Sequence, residues 1–244
     1  MAKHKKKAKA PTTRMPIMNY TDIIADQRAE HYAIRESYKT IRANLLFCGT
    51  DIKVIVVTSC QAHEGKTTTT LALCQSLNEI DKKVLLIDAD LRRSSMMQHT
   101  SPKNKGSMLG LSEYLSGQAK KDEVVYHTQY ENLDLIYAGQ FPPNPAELVG
   151  SVRFKELVDG CRAEYDYIII DSSPVGLVID AAMMAPYCDG AIMIVSVGEV
   201  SAKIARETKE QMEKSGCRII GVILNEAEQA KKAKRGLLRK KKSN

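Results

Sequence analysis

The residues in this chain best suited to chemistry are one lysine and three aspartates: Lys66, Asp88, Asp90 and Asp171. Lys66 stands in TSCQAHEGKTTTT, residues 58–70, which continues an apolar β-branched run from Val54 and opens a helix at Gly65-Lys66-Thr67. A strand, a tight loop and a helix start form a cradle for phosphate. The loop N–H groups and the positive end of the helix dipole face an anion, and the lysine sets an ammonium near the β and γ phosphates. Glu64, Gly65 and Thr68 complete the loop, and the Thr67 hydroxyl is placed to ligate Mg2+. Asp88 ends the apolar run in LLIDADLRR, 22 positions beyond Lys66, with Asp90 close behind it, and Asp171 ends a third apolar run, YDYIII. Gly-Lys-Thr alone is a modest signal, because Cys60 occupies the position of the usual first glycine. Two acid-terminated strands beside it make the signal specific, since α/β proteins bind ligands at the carboxyl ends of parallel strands.

The elements that must position these groups alternate. Helical spacing of Ile34, Tyr38, Ile41 and Leu45 predicts a helix over 29–47, and strand, loop and helix follow over 54–77, then the Asp88 strand. A short helix is expected at 109–115, a strand at 132–139, and a proline-set turn over 142–151 that opens a helix continuing through 158. Strands at 167–170, 191–197 and 218–224, with helices at 179–185 and 202–214, complete the pattern. Near-continuous apolar strands alternating with helices predict a doubly wound α/β fold, a mainly parallel sheet covered on both faces.

At 244 residues and 43% hydrophobic content the chain is long enough to bury a full core. Charge is uneven. Residues 1–14 hold six Lys or Arg and residues 231–244 hold eight, with no acid in either stretch. The 36 basic and 29 acidic residues of the whole chain leave 22 against 29 between these arms, a charge of −7. The expected layout is a basic extended arm over 1–28, one domain over 29–228 and a basic tail over 229–244. Such arms suit anionic lipid headgroups, at about 1 kcal/mol per engaged Lys or Arg. An acidic partner or nucleic acid offers similar chemistry, plain solvation is the bland reading, and no nucleic-acid partner is expected. Six cysteines without C-x-x-C spacing are expected as reduced core thiols. No apolar run reaches the ~18 residues of a spanning helix and no signal peptide is visible, so the expected location is cytoplasmic.

TSCQAHEGKTTTT, LLIDADLRR, AGQFPPNPAELVGS and YDYIIIDSSPVGLVIDA together resemble the bacterial tyrosine kinases of capsule and exopolysaccharide synthesis. The likeness, from about Glu30 to Asn225, is to the cytoplasmic type activated by a separate membrane protein. It implies a P-loop NTPase of the deviant-Walker, partition-ATPase-like type, with ATP and Mg2+ as cofactors. By the same resemblance Asp88 belongs to the second Walker motif and Asp171 to Walker B, both supporting magnesium together with Thr67. Asp88 is the candidate acceptor of the tyrosine proton, with Asp90 able to share either role. Arg92 is a candidate phosphate or carboxylate partner, and Asn225 a hydrogen-bond partner for adenine. Glu36, Lys39 and Arg42 resemble the family's self-association motif and share a helical face, implying a homo-oligomer. The resemblance further implies a membrane-protein activator, a cognate tyrosine phosphatase and recruitment to the inner face of the plasma membrane.

Two departures stand out. The loop has a single glycine, preceded by Ala62-His63-Glu64, and no tyrosine follows Tyr187, where the family carries a tyrosine cluster. Self-modification is therefore expected at Tyr20, Tyr32 or the 126–137 region. Two other readings share the site: a partition or septum-positioning ATPase, and an ATP-holding regulator without kinase output. The former usually has a lysine early in the loop, where this chain has Cys60, Gln61 and Ala62.

Overall fold

Apolar side chains in the central strands alternate between two cores. Val54 and Val56 face one side with Leu85, Ile87, Ile168 and Ile170, while Ile55 and Val57 face the other with Val84, Leu86 and Ile169. Strands buried on both faces need apolar residues at every position, which is why these segments read as unbroken runs. Each fully buried Val, Leu or Ile contributes about 1.5–3 kcal/mol by leaving water.

The computed structural model describes residues 28–100 and 108–226. In chain order the elements are α1 (Arg28–Leu46), β1 (Val54–Ser59), α2 (Lys66–Asn78), β2 (Val84–Asp88), α3 (Leu111–Leu115), α4 (Lys121–Val124), β3 (Val125–His127), β4 (Leu133–Ile136), α5 (Pro145–Val149), α6 (Val152–Cys161), β5 (Tyr167–Asp171), α7 (Asp180–Met184), β6 (Gly190–Ser196), α8 (Ala202–Lys214) and β7 (Ile219–Asn225). Seven strands form one sheet in the order β3-β4-β2-β5-β1-β6-β7, parallel except for β3. The doubly wound, mainly parallel sheet expected from sequence is present. Helices α1 and α2 cover one face through Leu45, Leu71, Cys74 and Leu77, and α3, α5, α6 and α7 cover the other through Leu111, Val149, Phe154, Leu157 and Met184. The expectations about the basic arms concern residues outside those described.

Two local expectations are corrected. The helix predicted to run from the proline turn through Val158 is two helices, because the Ser151 hydroxyl accepts the Phe154 N–H and caps a new start just after Gly150. The stretch before β4 adds α4 and the antiparallel edge strand β3, three residues long and too short to show a period. All six cysteines are free thiols, four of them buried. Among the described residues no helix is long and apolar enough to cross a membrane.

Candidate nucleotide and phosphotransfer site

Strand order gathers the site. β5 lies between β1 and β2, with Asp171 paired in register to Val57 on one side and to Asp88 on the other. Two carboxylates therefore end adjacent strands beside the loop that leaves β1. Lys66, the first residue of α2, extends its Nζ to Asp171 Oδ1 at 2.7 Å. Thr67 donates to the other oxygen of the same carboxylate at 2.7 Å. Lys66 and Asp171 are both buried, so this ion pair is little screened by solvent.

Asp88 is also buried, and its carboxylate accepts from the Ser94 hydroxyl and from the Asp90 N–H. Burial, and then the nearby Asp171 charge, push its pKa up to about 7, against the opposing Ser94 hydrogen bond and Lys66 charge. A carboxyl so poised exchanges protons near neutrality.

The loop is fixed by close approaches. Gly65 has φ 74°, a left-handed conformation, and a Cβ there would lie 2.3 Å from Asn225 Nδ2. Both facts demand glycine. Asn225, the last residue of β7, donates from Nδ2 to the Glu64 carbonyl at 3.0 Å, and its Oδ1 accepts the Glu226 N–H. The Glu64 side chain turns inward and accepts from the N–H groups of Gln61 and Ser196, tying the loop to β6. Gly176 performs the same service for the loop after β5: a Cβ would sit 2.1 Å from the Cys60 carbonyl oxygen.

A cavity of about 780 Å3 lies over this arrangement, lined by Lys66, Thr67, Thr68, Asp90, Arg92 and Arg93 among others. His99 also lines it, its pKa lowered by burial. Asp90 accepts from the Arg93 N–H at 3.0 Å and the Ser173 hydroxyl at 2.7 Å, which joins the loops following β2 and β5. Arg92 spends its guanidinium on a bidentate pair with Asp180, at 2.7 and 3.0 Å.

Of the residues read from sequence, Lys66, Thr67, Asp88 and Asp171 come together, and Gly65, Thr68, Asp90 and Arg92 flank them along the cavity. The side chains of Glu64 and Asn225 are engaged in holding the loop. Sequence reasoning missed Asp180, Ser94, Ser173 and Ser196. A buried aspartate opening α7 was the one available signal for Asp180; a serine in a loop carries none.

The pair Glu36 and Lys39 is exposed and joined at 2.7 Å. Arg42 does not share that surface. Its guanidinium docks onto the end of α2, bonding the Ser76 carbonyl and hydroxyl and Glu79 at 3.2 Å. Of the three residues expected to share a face, Glu36 and Lys39 are exposed, and Arg42 is engaged with α2 within the same chain. Tyr137 is also corrected as a phosphoacceptor: it is fully buried, donates to Thr100 at 2.9 Å, and burial pushes its pKa up to about 12.

The chain is similar to known proteins. The AAA domain family matches residues 52–206. Tyrosine-protein kinase CpsD of Streptococcus agalactiae is 36% identical over 213 residues, covering 87% of this chain and 92% of that protein. The chain belongs to the bacterial tyrosine-kinase family. It is a protein-tyrosine kinase of the capsule and exopolysaccharide type, built on a nucleotide-binding P-loop fold. The kinase domain of Escherichia coli tyrosine kinase ETK superposes with a TM-score of 0.73 at 32% identity, covering 78% of this chain and 74% of that one. The septum site-determining protein MinD from Pyrococcus horikoshii, complexed with Mg-ADP, superposes with a TM-score of 0.61 at 25% identity over 73% of this chain and 72% of its own.

Proposed function

We propose that the Lys66 cluster transfers the γ-phosphoryl group of ATP to a protein tyrosine hydroxyl, and that through this activity the protein regulates polysaccharide synthesis and export. The observation that carries the reading is the convergence of Lys66 and Thr67 on Asp171, with the buried carboxyl of Asp88 on the neighbouring strand. The hard oxygen donors of Thr67, Asp88 and Asp171 fit Mg2+, which takes few protein ligands and the rest from phosphates and water. Bound Mg2+ supplies charge neutralisation at the phosphates.

The chain's own groups supply the remainder. Backbone N–H groups at the start of α2 bind phosphate oxygens, and Lys66, held in place by Asp171, adds a positive charge where the transferring group becomes more negative. Asp88, a buried carboxylate on the strand beside Asp171, takes the phenolic proton as the tyrosine oxygen attacks. Asp90 and Ser173 hold the two acidic loops in register. The Asp180 pair takes Nε and Nη2 of Arg92 and holds it at the cavity wall, where its remaining guanidinium N–H groups serve phosphate or an acceptor peptide. The carboxamide of Asn225 keeps one further N–H for adenine while anchoring the loop.

The site works with partners: a membrane-protein activator, a second copy contacting Glu36 and Lys39, a phosphatase that removes the product phosphate, and an anionic inner membrane surface met by the basic arms. Salt-sensitive co-sedimentation with anionic vesicles reads the last of these. The likeness to MinD favours a second reading, an ATPase that releases phosphate to water. Incubation with γ-labelled ATP and a tyrosine-containing peptide, with and without the activator's cytoplasmic segment, separates the two. Labelled phosphotyrosine, lost in Lys66→Met, supports the kinase; free phosphate alone supports the ATPase.

A further inference from the structure

Nine of the ten tyrosines lie in described residues, and their surroundings differ sharply. The hydroxyls of Tyr126, Tyr137, Tyr165 and Tyr187 each donate to a partner within the fold, at 2.9, 2.9, 2.7 and 2.9 Å. Tyr167 is buried in the core, and Tyr114 is partly buried with its ring under the Arg153 guanidinium. Tyr38 and Tyr130 are half-buried and engaged. Tyr32 stands apart: its side chain is 68% exposed in the first turns of α1. Phosphorylating an internally bonded tyrosine breaks native contacts, whereas Tyr32 can enter another molecule's cleft at no such cost.

The contacts of α1 with α2 bear on which copy's site Tyr32 can enter. Helix α2 begins at the phosphate loop and runs 13 residues, about 20 Å at 1.5 Å per residue. Glu79, just past its far end, is bound by both Arg42 at 3.2 Å and Arg35 at 3.1 Å. Arg42 bonds both Ser76 and Glu79, whereas the Arg35 ion pair is with Glu79, one turn farther from the phosphate loop, so α1 leads away from the loop toward its N-terminus, where Tyr32 lies. This places Tyr32 on the side of α2 opposite the end that carries Lys66.

We propose that Tyr32 is a phosphoacceptor of this kinase and that it is modified intermolecularly, by a second copy of the chain. The inference rests on the kinase reading above. In the step, the Tyr32 phenolic oxygen forms a bond to the γ-phosphorus of ATP held by the other copy. The bond from that phosphorus to the β,γ-bridging oxygen breaks, ADP leaves, and the phenolic proton passes to the catalysing copy's Asp88. The product phosphate sits one helical turn from Arg35, which binds it in competition with Glu79 and so loosens the clamp of α1 on α2.

The test mixes two forms of the chain with Mg2+, ATP and the activator's cytoplasmic segment. The donor is Tyr32→Phe, and the acceptor is Lys66→Met, which retains Tyr32 but lacks the phosphate-binding lysine. Peptide mapping by mass spectrometry is expected to find phosphate on Tyr32 of the acceptor, at a rate proportional to donor concentration, and at least tenfold less total phosphotyrosine on an acceptor carrying both substitutions. A tyrosine-containing copolymer of Glu and Tyr serves as internal control. If the donor labels the copolymer while Tyr32 stays unmodified, or if label falls on Tyr20 instead, the inference is overturned and the kinase reading stands. If wild-type protein alone labels its Tyr32 at a fractional rate independent of dilution, the intermolecular assignment is overturned. If wild-type protein labels neither copolymer nor itself with the activator's cytoplasmic segment present, the kinase reading fails and the inference with it.

Discussion

Replacing Asp88 with asparagine is expected to make the nucleotide-free protein more stable, and only above mildly acidic pH. In the unfolded chain this carboxyl titrates near 3.8, whereas burial and the Asp171 charge raise it to about 7 in the fold. Between those values the folded state holds a proton that the unfolded state has lost, so stability falls as pH rises through the window from about 4 to about 7. Above pH 7 the ionised group imposes its full penalty. A shift of about three units at 1.36 kcal/mol each amounts to about 4 kcal/mol. Asp88 is only 1% exposed, so solvent does not discount that figure greatly. The amide keeps the shape and an acceptor for the Ser94 hydroxyl while carrying no charge. For a chain of this size, 2–4 °C per kcal/mol converts the penalty to roughly 8–16 °C in melting temperature at pH 8. Thermal melts of wild type and Asp88→Asn without nucleotide or Mg2+, at pH 4, 6 and 8, read it directly. The gap should be near zero at pH 4 and widest at pH 8. A variant less stable at pH 8, or a gap independent of pH, would refute the claim that Asp88 is a strained ionised group held for function.

Three further outcomes follow from particular contacts. Gly65→Ala meets both a left-handed φ and the Asn225 amide, and should cost about 1–3 kcal/mol in urea unfolding while weakening nucleotide binding, read by fluorescent nucleotide titration. Arg92→Ala leaves the Asp180 carboxylate buried without its bidentate partner; the pair's 39% exposed arginine side discounts the usual cost to roughly 1–3 kcal/mol, and Arg93→Ala, which removes no such pair among the described residues, should unfold like wild type. Arg42→Ala should lower stability by removing the contacts that dock α1 on α2, whereas Glu36→Ala with Lys39→Ala should change the mass measured by light scattering and leave the unfolding curve in place.

The sequence exposed most of this site because its chemistry is placed where apolar patterning stops. Asp88 and Asp171 each end a buried β run, and Lys66 opens a helix after another, so a carboxylate or lysine at a break in hydrophobicity marks the carboxyl edge of the sheet. Partnerships across the fold left no comparable mark. Arg92 and Asp180 are 88 positions apart and meet because the loops after β2 and β5 are neighbours, a fact of strand order. Glu64 looked like part of a phosphate-facing loop, yet its side chain turns inward to Ser196, since the buried loop N–H groups needed an acceptor. Arg42 looked like a surface charge at helical spacing, and spacing cannot show that α2 presents Ser76 and Glu79 to that face. The break between α5 and α6 was hidden for another reason: the apolar period continues across Gly150 and Ser151, and only the serine cap reveals the new start.

The central claim is that the Lys66 cluster delivers phosphate to a tyrosine and not to water. Its most direct test is the ratio of phosphotyrosine formed to ADP released, measured together in one reaction of the protein with Mg2+, ATP, the activator's cytoplasmic segment and saturating tyrosine-containing peptide. The site described here predicts a ratio approaching one, with both products lost together in Lys66→Met. ADP accumulating with free phosphate while phosphotyrosine stays at background would contradict it.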